Sequence, residues 1–144
     1  PRAPKEAILS GPFLRRIFFY SMLITFSTLA AFMVGFPGGG GANHHAVTLS
    51  FMTLALAQTF HLANARSAGQ VLEFRKAVSN PYALGAVVLV LLLQLVAVYF
   101  DPLSKVLGTY PLSGRDWLIV TGLALIPAAV GQTIKLIAGM RRPR

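Results

Sequence analysis

Gln58, His61 and Asn64 stand within seven positions of an otherwise hydrocarbon-like run, "LALAQTFHLANARS", and their side chains could do chemistry. An amide oxygen and an imidazole nitrogen about one turn apart on a helix can both be offered to a cation. Ser50, Thr53, Ala57, His61 and Asn64 are spaced three or four apart, so a helix gathers them into one stripe with Gln58 on its border. Large polar groups inside a membrane helix are costly against lipid and mark ion paths or sites. Gln58 and His61 are therefore the candidate cation ligands. The smaller groups, Ser50, Thr53 and Asn64, read as hydrogen bonds between helices, each worth about 0.6 kcal/mol.

Other polar residues in apolar surroundings read as structural. Ser21, Thr25 and Thr28 form a second stripe, spaced four and three, that can pack on the first. Gln94 in "LLLQLVAV" is isolated and suits packing; Pro127 in "ALIPAAVGQTIK" removes a helical hydrogen bond and predicts a kink, with Gln132 a turn later. His44 and His45 follow four consecutive glycines in "GFPGGGGANHHAV", and adjacent histidines in a flexible hairpin lack the ligand spacing of a zinc site. There is no cysteine, hence no disulfide, thiolate metal site or cysteine nucleophile. No phosphate loop, nucleophile elbow, His-Glu-x-x-His or facing pair of carboxylates occurs, so the sequence assigns no catalytic and no cofactor-binding residue.

The elements that must carry these groups are set by composition. The 144 residues are 55% hydrophobic and 12% charged, against about 25% charged in soluble domains. Four apolar stretches, at about 17–36, 46–65, 82–100 and 117–138, are each near the ~20 residues that span a bilayer core as a helix. A membrane strand would alternate apolar and polar residues, and "VVLVLLLQLVAV" does not. Backbone in lipid must bond to itself, so the stretches predict helices. The expected fold is all-α: one domain over residues 1–144, a membrane-embedded bundle of four transmembrane helices. No Asp or Glu lies inside any stretch, which argues against a proton-coupled exporter of four helices.

Charge placement predicts orientation. The chain carries 13 Lys and Arg against 4 Asp and Glu, a formal net charge of +9. With four crossings, all the basic residues but Lys105 and Arg115 fall on one side, so the positive-inside rule places both termini in the cytoplasm. Nucleic acid is not an expected partner, because no aromatic-interleaved basic face is present; the lipid bilayer is. The segment "RSAGQVLEFRKAVSNPY" suits a short interfacial helix. In "FDPLSKVLGTYPLSGRDW", Tyr99, Tyr110 and Trp117 bracket an aromatic belt, and Ser113 to Asp116 can cap the last helix.

Together these segments resemble a known family. "MTLALAQTFHLANARS" is similar to the eighth membrane helix of P-type cation-transporting ATPases of the calcium-pump and sodium-pump branch. The segment running from "SNPYALG" through "FDPLSKVLGTYPLSGRDW" to "GQTIKLI" resembles their ninth and tenth helices, and "PRAPKEAILSGPFLRRI" the link from sixth to seventh. The resemblance covers nearly the whole chain. It implies a C-terminal membrane domain, helices seven to ten, of a larger multi-pass pump of the plasma membrane. Its partners would be the upstream transmembrane and cytoplasmic domains, where an Asp-Lys-Thr-Gly-Thr phosphorylation site, Mg and ATP belong.

The resemblance also bears on the ligands. Where two-site calcium pumps carry a glutamate in the eighth helix, this sequence has Gln58, which keeps an oxygen ligand but loses a charge. His61 stands where sodium-pump relatives place an acidic residue, and Gln132 where many relatives are acidic. That favours a one-site calcium or manganese pump, or a monovalent-ion pump, over a two-calcium pump, with calcium the cargo to test first. Two alternatives stay open: a self-contained four-helix transporter or channel, and a non-catalytic structural membrane subunit.

Overall fold

The computed structural model describes residues 11–36, 43–66 and 81–140. Among them are five helices: α1 (Gly11–Gly35), α2 (His44–Arg66), α3 (Pro81–Tyr99), α4 (Asp101–Leu107) and α5 (Gly114–Met140). The four apolar stretches are all helical, and α1 begins six residues before its stretch does. The interfacial helix expected near residues 71–78 lies outside the described residues.

Local chemistry sets the ends. Asn43 caps α2: its Oδ1 accepts from the Ala46 N–H at 3.1 Å, and its carbonyl takes the first helical bond, from Val47 N–H at 3.0 Å. The first turn of α2 therefore takes in His44 and His45, which the glycine run had suggested were loop residues. Ser113 and Asp116 cap α5 reciprocally. The Asp116 carboxylate accepts from the Ser113 N–H at 2.8 Å and the Ser113 hydroxyl at 2.7 Å, while Ser113 Oγ accepts from the Asp116 N–H at 3.3 Å. Between α3 and α4 the chain extends at Phe100 (φ −89°, ψ 105°). Pro102 has no N–H, and in a continued helix its ring would press on the carbonyl four residues back, so α3 stops and α4 leaves at 84°. Gly108 ends α4 at φ 64°, a left-handed conformation that glycine adopts without steric cost.

α2 is the hub, packing against both α1 and α5, which also touch each other; α3 packs mainly on α2. The core is built from Ala31, Leu49, Met52, Leu56, Ala57, Val98, Val120 and Ala124, with Ile24, Phe60, Leu103 and Trp117 against it. α1 and α2 form an antiparallel hairpin: Gly35 lies against Ala46 at one end and Tyr20 against His61 at the other. The buried stripe of α1 is Ser27, Ala31 and Gly35, not the expected Ser21, Thr25 and Thr28. Four-residue steps through small side chains let the helices approach closely, which three hydroxyls on a neighbouring stripe would not require.

By length and composition, α1 and the Gly114–Ile137 part of α5 could each cross a membrane, and the bent α3–α4 pair makes a third if counted as one span. α2 is the least apolar of the long helices because it carries the polar stripe. Pro127 sits buried inside α5, which continues through it to Met140.

Gln94 is 5% exposed, and neither atom of its amide has a hydrogen-bond partner among the described residues. An unpaired buried amide is destabilising by about 1–3 kcal/mol. Gln94→Met, which keeps the volume and removes the amide, should therefore raise the thermal unfolding midpoint. A lowered midpoint would show that the amide is paired in the intact protein.

Candidate functional site

The polar residues of α2 divide between two places. At the end where α2 starts, its first turn is fastened to the segment joining α3 to α5. His44 Nδ1 lies 2.8 Å from the Gly108 carbonyl, which can only accept, so Nδ1 carries the proton. His45 Nε2 lies 3.1 Å from Asp116 Oδ1, and its ring meets Tyr110 edge-on at 5.6 Å. Thr48 Oγ1 donates to the His44 carbonyl at 2.7 Å and accepts from the Tyr110 N–H at 2.8 Å. Trp117 Nε1 donates to Tyr99 Oη at 2.8 Å, and that hydroxyl donates to the Leu112 carbonyl at 2.7 Å. The expected belt aromatics thus also tie α3 to α5.

No group of three metal-ligating side chains occurs among the described residues. The histidine pair is a structural fastening. Its partners lie about 64 and 71 positions away in sequence, so no local pattern announces them. Asp116→Ala removes both the cap and the His45 contact; the expected cost is about 1–2 kcal/mol, read as a lower unfolding midpoint. Asp116→Asn should recover part of it, and no difference from wild type in either variant would refute the fastening.

The second place is the outer surface of the α1–α2 pair. Thr25, Thr28, Leu29 and Phe32 of α1 and Ser50 and Leu54 of α2 line an open groove of about 430 Å³. Thr25 and Thr28 of α1 thus meet Ser50 of α2 along this groove. Thr28 and Ser50 spend their hydrogens on the carbonyls four residues back, Ile24 and Ala46, at 2.8 and 2.9 Å. That leaves each oxygen free to accept.

Gln58 lies one turn beyond Leu54 on the same ridge of α2 and is exposed. It is not buried among the four long helices described here. His61 is turned inward, half-buried, its ring 4.4 Å from that of Tyr20 and its Nδ1 without a hydrogen-bond partner among the described residues. Thr53 is fully buried, its hydroxyl without a partner among the described residues. The structure therefore separates the two candidate ligands: Gln58 faces away from the bundle and His61 packs into it. The side chain of Asn64 lies outside the described residues.

Comparison with known proteins gives a consistent result. Residues 1–137 match the family described as "Cation transporting ATPase, C-terminus". The chain is 33% identical over 127 residues to a calcium-transporting ATPase of Bacillus subtilis (strain 168), covering 88% of this chain and 14% of that protein. It is 30% identical over 153 residues to calcium-transporting ATPase 1 of Bacillus cereus, covering 94% of this chain and 17% of the relative. Against calcium-transporting ATPase type 2C member 2 of Mus musculus it is 29% identical over 136 residues, 94% of this chain and 14% of the other. The chain thus spans less than a fifth of the length of these relatives.

Proposed function

The chain belongs to the family of C-terminal domains of cation-transporting ATPases, and on that premise we propose that it is the membrane support domain of an ATP-driven calcium pump. Its four long helices cross the membrane with both termini cytoplasmic, in keeping with the clustering of basic residues around the termini and the segment between α2 and α3. They brace the helices that carry the ion, and the Gln58 amide oxygen is offered to the cation or to a group that binds it. Calcium is favoured as cargo because the relatives bear that name. Oxygen donors are also what this hard cation takes.

The observation that carries the reading is the groove of α1 and α2 with Gln58 continuing its ridge. The groove itself is lined mainly by apolar surface, but the exposed Gln58 amide at its end is poorly matched to lipid and well matched to another helix. A helix seated there would lie beside Gln58, and an ion held on that helix would be within reach of the amide. His61, packed on Tyr20, acts through position and holds α1 against α2. Phosphoryl transfer from Mg-ATP to an aspartate would take place outside this chain, and the movement it drives needs a rigid element to work against.

The test is to read the source gene upstream of the codon for Pro1 and then assay its full product. An in-frame Asp-Lys-Thr-Gly-Thr site, together with an acid-stable phosphoenzyme that forms from ATP when calcium is added, is the expected result. A product that forms no phosphoenzyme with any cation would contradict it.

A further inference from the structure

Helix α4 is short, yet its residues are sorted by face. At about 100° per residue, Pro102, Val106, Leu103 and Leu107 fall on one side, while Asp101, Lys105 and Ser104 fall on the other. Leu103, at the centre of the apolar side, packs against the bundle core. Its flanking neighbours do not: Val106 is 82% exposed and Leu107 48%. The 84° turn out of α3 takes α4 off the axis of that helix, so α4 does not continue it. Phe100 at the bend is also exposed, as are several leucines and valines of α3.

We propose that α4 is an interfacial foot: its Val106 and Leu107 side enters the acyl region of the leaflet at this end of the bundle, and Asp101 and Lys105 stand at the headgroup level. Three observations favour lipid as the occupant over a protein partner. The apolar side of α4 follows directly on exposed Phe100 and on an α3 that itself exposes many leucines and valines. The hydrogen-bonded Tyr99 and Trp117 sit at the same end, where aromatic residues collect at a membrane surface. The charged side is the one opposite Leu103, facing away from the bundle, which is the arrangement of a helix lying in an interface.

The foot is also coupled to the bundle. Gly108, which terminates α4, bonds His44 through its carbonyl, and Tyr110 bonds Thr48 through its N–H. Both partners are in the first turns of α2, so the depth at which α4 sits fixes the height of α2 in the bilayer. The inference rests on the membrane character of the chain and not on the pump assignment.

The experiment uses the full-length protein in phosphatidylcholine–phosphatidylglycerol liposomes, with nitroxide labels at Val106→Cys and, separately, Lys105→Cys. This chain contributes no competing cysteine. The expected result is a several-fold higher ratio of oxygen to polar nickel-complex collisions at position 106 than at 105. Equal, water-like accessibility at both positions would overturn the proposal. So would protection of position 106 from both reagents, the signature of a protein partner or a second copy covering this side. Both variants alter exposed side chains, and a third label at exposed Leu118 of α5 reports whether the bundle has folded.

Discussion

If the full-length protein is the proposed pump, Gln58→Ala is expected to raise the calcium concentration for half-maximal phosphorylation by about tenfold, or about 1.4 kcal/mol, with abundance unchanged. Gln58 is exposed on the α2 ridge that lines the groove, so truncating it leaves no cavity in the core of these helices. What it removes is one neutral oxygen donor, which a hard divalent cation replaces with water or forgoes. Gln58→Glu keeps the oxygen and adds charge, and should shift the midpoint the other way. Gln94→Met serves as the control. It changes another glutamine of the same chain, one buried on α3, and should leave the ion dependence where it was. Phosphorylation curves for Gln58→Ala that overlay those of the wild type would remove Gln58 from the ion's surroundings.

Gly35→Leu should be the most damaging single change to the fold. A Cβ at this position would stand 2.7 Å from Ala46 Cα and 2.8 Å from Leu49 Cδ1. The first of these is backbone, and it cannot rotate aside. α1 and α2 would have to part at this end, although α2 is there capped by Asn43 and fastened through His44 and His45. Overpacking of this kind costs about 1–3 kcal/mol for small additions, and leucine adds more than alanine. The expected outcome is a graded series: Gly35→Ala lowers the unfolding midpoint and Gly35→Leu abolishes folded protein. Gly122 on α5, with open space around its Cβ position, should tolerate alanine. Equal stability of Gly35→Ala, Gly122→Ala and wild type would refute the close crossing.

The long helices were legible because hydrocarbon runs of that length have few other structures open to them in a bilayer. Their ends were less so. α1 extends past its apolar stretch through Arg15 and Arg16, since arginine is a good helix former whether or not lipid surrounds it. α4 is not announced by the sequence pattern, although Pro102 at its start and Gly108 at its end are ordinary boundary signals. Seven residues hold too few turns for periodicity to stand out. The sorting of polar residues was legible for the Ser113–Asp116 cap, whose partners are three apart, and not for the histidines, whose partners are distant in sequence. The packed stripe of α1 is carried by the small residues Ser27, Ala31 and Gly35, which a pattern of hydroxyls does not mark. Gln58 and His61 both lie on α2, but a single helix says nothing about which of its sides the other helices cover.

ATP-driven accumulation of radioactive calcium in sealed vesicles containing only the full-length protein tests the central claim most directly. The account predicts uptake that requires Mg-ATP, is released by a calcium ionophore, and needs more calcium after Gln58→Ala. Vesicles that hold folded protein and form phosphoenzyme, yet accumulate no calcium above the ATP-free control, would contradict it.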